Sequence, residues 1–269
     1  MKDSSSRFGA LAVTLRLSPM EDVMILRPFL HFDPVAISYL FGCGGKAAAA
    51  VVDPVGDIEP YLRAAADTGM TIRYVIDTHI HADHVSAGRH LAEAAGAPYV
   101  LFAEAPAAAP FMGVRHGDML ELGNVVAEVI HTPGHTPEHI CLAVRDRTRA
   151  DEPWFVFTGH TLMVGDLGRT ELAVSAEDGA RALFHSIRGL KALPDYVEVL
   201  PGAFSGSVCG RKLSGKPSST IGFERRHNEA FRIEDEAAFV QAMLADIPEP
   251  PAAAAELRAL NAGFTAAAA

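Results

Sequence analysis

Cysteine is scarce in this chain: Cys43, Cys141 and Cys209 are the only three in 269 residues. They are widely separated and form no Cys-x-x-Cys pair, so a disulfide framework is excluded and a reducing, cytoplasmic setting is expected. Positive charge is also in deficit. Lys and Arg total 23 against 33 Asp and Glu, a formal charge of -10. No dense basic stripe offsets that balance, and the Arg225-Arg226 pair is too short to make one, so nucleic acid is not an expected partner. Charges or turn residues interrupt every apolar stretch before it reaches the roughly 18 residues a membrane span requires. No internal repeat is visible, and the segment Met1 to Arg16 shows no clear cleavage site, so a signal peptide is not expected.

What the chain does have is the composition of an ordinary globular protein, 49% apolar and 21% charged. The patterning divides it into an N-terminal extension (1–24), one large domain (25–246) and a Pro/Ala-rich tail (247–269), the last low in complexity and expected to be partly disordered. Strands are predicted around Phe29, over Val35 to Phe41 with a glycine turn at 42–45, and over Ala47 to Val52. A helix follows from Ile58 to Gly69, then a β-rich stretch from Thr71 to Asp77, a helix from Ser86 to Ala95 and a strand from Pro98 to Phe102. Met119 to His131 reads as a hairpin turning at Gly123-Asn124. Strands near Ile140 to Val144 and Trp154 to Phe157 precede a helix that Ser175 caps and that runs to about Leu190. A strand near Tyr196 to Leu200, a Gly/Ser-rich loop from Gly202 to Ser219 and a helix from Glu234 to Ala245 complete the domain. This order, strands first and then strands interleaved with helices, points to α+β sheets covered by helices rather than to a doubly wound parallel sheet.

Three elements carry chemistry. The first is His79-x-His81-x-Asp83-His84, four metal-binding side chains crowded at the end of an apolar strand. Extended backbone puts His79 and His81 on one face, and imidazoles at strand ends can converge on one ion. The second is His131-Thr-Pro-Gly-His135-Thr-Pro, in which Pro133 and Pro137 restrict the backbone and Gly134 permits unusual angles, so the turn fixes His135. The third is Phe157-Thr-Gly-His160, followed by Val164-Gly-Asp-Leu-Gly-Arg169, a Gly-rich loop with an arginine suited to an anionic group.

Together these motifs resemble the metallo-β-lactamase superfamily, and within it the glyoxalase II-like branch that includes persulfide dioxygenases. The resemblance covers roughly Ile25 to Asn228 and takes in Val52-Asp53-Pro54 as well. It implies an αββα four-layer sandwich, two mixed sheets flanked by helices, with metal at one edge. Carried over, the single-iron ligands of the persulfide dioxygenases fall on His79, His135 and His160, the last replacing an aspartate. Two-metal relatives use positions matching His81, Asp83 and His84, and a further histidine where Ala203 stands here. The two departures favour a mononuclear site, with Fe(II) as the expected ion and Zn(II) as the alternative.

The resemblance implies a dioxygenase that oxidises a small thiol persulfide at Fe(II), with Arg169 holding a substrate carboxylate. A zinc-dependent thioester hydrolase using Asp83 as base is the alternative, because the complete histidine run exceeds what one ion needs. An impaired metal- or thiol-binding homologue is the third. The expected partner is a small thiol-containing substrate, with a homodimer as a further expectation. Cys209, beside Arg211 and Lys212, is read as a redox-sensitive thiol if those cations favour its thiolate, in a loop that caps the site mouth or lies on the surface.

Overall fold

The computed structural model describes residues 23–245, 247 and 249–264. Most of the expected N-terminal extension therefore lies outside the described residues. The chain order is β1 (Met24–Phe32), β2 (Val35–Cys43), β3 (Ala48–Val52), α1 (Glu59–Asp67), β4 (Thr71–Ile76), α2 (Gly88–Ala95), β5 (Tyr99–Phe102) and β6 (Met112–Val114). It continues with β7 (Met119–Leu122), β8 (Val125–His131), β9 (Ile140–Asp146), β10 (Phe155–Gly159), β11 (Leu162–Met163), β12 (Asp166–Leu167) and α3 (Ala176–Lys191). It ends with β13 (Glu198–Pro201), β14 (Ser219–Thr220), α4 (Ile221–His227), α5 (Glu236–Ala245) and α6 (Ala254–Asn261).

The strands form two six-stranded sheets, ordered β1-β2-β3-β4-β5-β6 and β14-β13-β10-β9-β8-β7, and β11 pairs with β12 apart from them. Both large sheets are mixed: β3, β4, β5 and β6 run parallel where β1, β2 and β3 are antiparallel, and β10 pairs β13 in parallel within an otherwise antiparallel sheet. Period-2 alternation explains the layering. In β2, Ile37, Tyr39 and Phe41 enter the core between the sheets, where they meet Phe155 and Phe157, while Leu40 points to the outer layer of Tyr61 and Leu91. On the far side, Leu183, Ile187 and Phe239 cover the outer face of the second sheet. Full burial of each such side chain is worth about 1.5–3 kcal/mol. Helix, sheet, sheet and helix stack in that order, the αββα architecture the motifs imply.

Two backbone hydrogen bonds join the sheets at one edge, Ile140 N–H to Thr78 O at 2.8 Å and Ile37 N–H to Gly202 O at 2.7 Å. This edge carries the strand ends of the histidine motifs. The hairpin turns at Gly123-Asn124 as predicted, and Ser175 Oγ accepts from Asp178 N–H at 3.2 Å to start α3. Part of the tail is regular: 254–261 form a helix, because alanine, leucine and arginine are strong helix formers whatever their sequence complexity. The helix is anchored at its end by the buried Asn261.

Candidate metal centre

Strand β4 stops at Ile76, and the chain then passes Asp77 and Thr78 to reach His79. Thr78 is held by Asp53: its N–H and Oγ1–H donate to the carboxylate at 2.7 and 2.9 Å. The Thr78 hydroxyl in turn accepts from His79 Nδ1 at 2.9 Å. That bond puts the His79 proton on Nδ1 and leaves the Nε2 lone pair unpartnered in a fully buried ring. His81 is oriented the other way round. Its Nε2–H donates to Asp53 Oδ1 at 3.2 Å and its Nδ1 has no partner. Asp53 thus fixes both histidines, the arrangement by which outer carboxylates orient metal-binding imidazoles.

The His-Thr-Pro-Gly-His turn works as its composition indicates. Gly134 sits at φ +149°, and a Cβ there would fall 2.6 Å from the backbone of Leu183. His135 Nδ1 donates to the Arg169 carbonyl at 2.7 Å, so Nε2 presents its lone pair inward. At the end of β10, Gly159 (φ +47°) lets the chain turn beneath His139, where a Cβ would stand 2.6 Å from His139 Nε2. His160 follows, and its Nδ1 lies 3.2 Å from His135 Nε2. Two nitrogens bound to one tetrahedral ion at ~2.0–2.1 Å are about 3.3 Å apart, so these two already have the spacing of a chelate.

The donor atoms of His79, His135 and His160 all lie within 4.8 Å of one another, as do those of His81, Asp83 and His84. Every sequence-predicted ligand therefore joins one of two adjoining sets. Asp83 links them, its Oδ2 being 4.0 Å from His160 Nε2 and its Oδ1 3.0 Å from His84 Nδ1. The unpartnered buried atoms cluster here: His79 Nε2, His81 Nδ1, His84 Nε2 and His160 Nε2. Leaving one buried polar atom unsatisfied costs about 1–3 kcal/mol, so this concentration is what a metal site looks like without its ion. The residues fit a divalent cation.

Burial, reinforced by neighbouring imidazoles, holds His79 well below the ordinary histidine range. Burial and the proximity of His160 bring His135 down to about 3. Burial likewise lowers His160 to about 4 against the opposing pull of Asp83. Asp83 itself stays ionised, because His84, His160 and His81 overcome the cost of burying its charge. His81 goes up to about 9, since the hydrogen bond and charge of Asp53 outweigh burial. Three neutral imidazoles beside an ionised carboxylate are the protonation states a cation requires.

Arg169 is buried, and its guanidinium meets Glu171 and the Val208 carbonyl, the latter at 3.1 Å. A substrate carboxylate would have to compete with Glu171 for it. Ala203, where the resemblance expects an imidazole, is fully buried and contributes only a methyl group. Cys209 does not meet the condition for a redox-sensitive thiol, cations that favour its thiolate. Its side chain is buried, and burial together with Asp83 pushes the thiol well above its ordinary range, while Arg211 turns away to Asp166 at 3.2 Å.

Sequence reasoning missed two supporting residues. His139 Nε2 accepts the His160 N–H at 3.0 Å, and its Nδ1 meets the hydroxyls of Thr132 and Thr161 at 2.9 and 3.0 Å. Its place in the Thr-Pro-Glu-His sequence, two residues beyond Pro137, was the available signal. Asn261, at the end of α6, donates through Nδ2 to the carbonyls of His81 and His84 at 2.9 and 2.8 Å.

Comparisons with known proteins agree with this geometry. The Metallo-beta-lactamase superfamily profile matches residues 35–202. A metallo-beta-lactamase structure from Staphylococcus aureus superposes with a TM-score of 0.84 at 36% identity, covering 88% of this chain and 72% of that one. The structure of ETHE1 from Myxococcus xanthus gives 0.75 at 31% identity, covering 88% of this chain and 100% of that one. A hydroxyacylglutathione hydrolase of Rhodospirillum rubrum is 34% identical over 166 residues, 61% of this chain and 60% of the hydrolase, so the match spans less than two thirds of that relative. The chain belongs to the metallo-β-lactamase superfamily, a group of metal-dependent hydrolases and dioxygenases. Within it the likeness runs to the branch holding hydroxyacylglutathione hydrolases and persulfide dioxygenases.

Proposed function

We propose that this chain is a persulfide dioxygenase-like enzyme that acts on a low-molecular-weight thiol persulfide through one redox-active ion at His79, His135 and His160. The convergence of those three side chains, with His79 Nε2 unpartnered and His160 Nδ1 3.2 Å from His135 Nε2, carries the reading. The likeness to ETHE1 of Myxococcus xanthus over that protein's whole length supports it. When bound, an Fe(II) ion would supply the open positions at which a thiol persulfide and O₂ meet and exchange electrons. The chain's own residues do the rest. Asp53 and Thr78 set the tautomer and angle of His79 and His81, and the Arg169 carbonyl does so for His135. The buried surroundings keep the imidazoles of His79, His135 and His160 neutral and exclude bulk water.

A second reading, hydrolysis of a thioester, is favoured by one observation: Asp83 is ionised among His84, His160 and His81, in a run with more donors than one ion needs, and could orient a nucleophilic water. O₂ uptake by anaerobically iron-loaded protein on addition of glutathione persulfide tests the proposal. Uptake is the expected result. No uptake, together with acyl-glutathione hydrolysis by zinc-loaded protein, would replace the first reading with the second.

A further inference from the structure

The loop from Gly202 to Ser219 has a charged, polar composition and yet drives one side chain, Cys209, to full burial against the histidine edge. Its Sγ lies within 4.8 Å of donor atoms of Asp83 and His160. Those partners are under-satisfied: His160 Nε2 has no hydrogen bond, and Asp83 meets only His84 and the thiol itself, in side chains only 1% and 4% exposed. The thiol therefore belongs to a pocket of open donor atoms and is not simply filling space.

The loop is also built to put it there. The Cys209 carbonyl accepts from Arg169 N–H at 3.2 Å, and the Arg169 guanidinium donates to the carbonyl of Val208 at 3.1 Å. Asp166 takes the N–H groups of Arg211 and Lys212 at 2.6 and 2.9 Å. The Val164-Gly-Asp-Leu-Gly-Arg169 segment thus clamps the backbone on either side of Cys209, and the same Arg169 presents its carbonyl to His135. One strap positions the thiol and an imidazole of the triad together.

We propose that Cys209 is a metal ligand that completes a second half-site with Asp83 and His160, for a thiophilic divalent cation of the zinc class. A set of one sulfur, one nitrogen and one oxygen donor suits that ion, and thiolate selects it over harder cations. The half-site replaces what Ala203 cannot give. His160 serves both sets, since Nδ1 faces His135 while Nε2 faces Asp83. Binding forms a metal–sulfur bond and releases the thiol proton to solvent. With both sets filled, His160 would be shared between them through its two ring nitrogens and would release its ring proton to solvent. No electrons move. The inference goes beyond the proposed activity and does not rest on it.

Cobalt(II) titration of the metal-free full chain, followed by absorption and proton release, tests the proposal without any assay of turnover. A thiolate-to-cobalt charge-transfer band should grow in with an equivalent of metal additional to that of the histidine triad, with proton release. Cys209→Ser should lack the band and hold the additional equivalent at least roughly tenfold more weakly, whereas Cys141→Ala should keep both. Should Cys209→Ser fail to fold, the wild-type chain decides: alkylation of Cys209 under mild denaturant slows with metal bound if the proposal holds. A cobalt-saturated wild type with no charge-transfer band, a band that survives in Cys209→Ser, or alkylation indifferent to metal overturns it.

Discussion

The backbone N–H of His160 donates to Nε2 of His139 at 3.0 Å, so one histidine fixes another at the end of β10. His139 is fully buried and both its nitrogens are engaged within the protein. It supports the centre from behind, and its own pKa is driven well below the usual histidine range by burial and the nearby imidazoles. Replacing His139 by Ala strands the His160 N–H and takes one partner from each of the hydroxyls of Thr132 and Thr161, which still meet one another at 3.2 Å. The expected cost is about 1–3 kcal/mol of stability and roughly 10–100-fold in metal affinity. Thermal melting with and without metal and chelator competition measure both. A variant as stable and as metal-retentive as the parent would remove His139 from this role.

Asn261 closes the histidine run from the opposite side of the chain. Its amide donates to His81 and His84 carbonyls and its Oδ1 accepts Ser86 N–H at 3.0 Å, while Arg258 donates to the Ile80 carbonyl at 2.7 Å. Asn261→Ala leaves two buried carbonyls and an N–H without partners, again worth about 1–3 kcal/mol. Chemical denaturation should show a lower midpoint with an unchanged slope, and metal should dissociate faster. Asn261→Asp, which keeps an acceptor for Ser86 but loses the donors, should not rescue metal retention. Full retention in Asn261→Ala would show that α6 merely covers the loop.

These residues show what a sequence can and cannot disclose. The run at His79 to His84 was legible because strand alternation and ligand chemistry coincide within a few residues, and His135 because prolines and a glycine announce a fixed turn. The two-sheet sandwich followed from strand order and the resemblance the motifs carry. Asn261 was not legible: its partners lie 177 to 180 residues away, with no local pattern to join them, and its helix is hidden in alanine-rich sequence. Cys209 shows the same limit: adjacent Arg211 and Lys212 leave open whether its thiolate is favoured, and only tertiary contacts, which turn Arg211 to Asp166 and bury the sulfur, decide it.

Acid should destabilise the metal-free protein. His135 and His160 titrate at about 3 and about 4 when folded, both below the 6.5 of an unperturbed histidine. The unfolded chain therefore binds protons first, and stability falls as pH drops below ~6.5 towards those folded values. Each histidine contributes about 1.4 kcal/mol per pH unit within its window. Urea midpoints measured from pH 7 to pH 4 should fall steadily, and His135→Phe should flatten the profile if it folds. A flat wild-type profile over that range would contradict the assigned protonation states.

His160→Asp restores a carboxylate at the position where the resemblance expects one. A two-histidine, one-carboxylate set is the familiar non-haem iron arrangement, so iron retention should rise, by an order of magnitude or more, on the scale of a ligand or support change. Iron content after loading and gel filtration reads this directly. Equal iron content in parent and variant would place His160 outside the site.

The most direct measurement is divalent metal content of the purified chain after loading and gel filtration, compared with His79→Ala and His135→Ala variants shown by circular dichroism to be folded. Convergence of His79, His135 and His160 predicts that the parent retains metal and that each variant loses the ion at the triad. A parent that retains none, or variants that retain as much as the parent, would contradict a metal centre built on these three histidines.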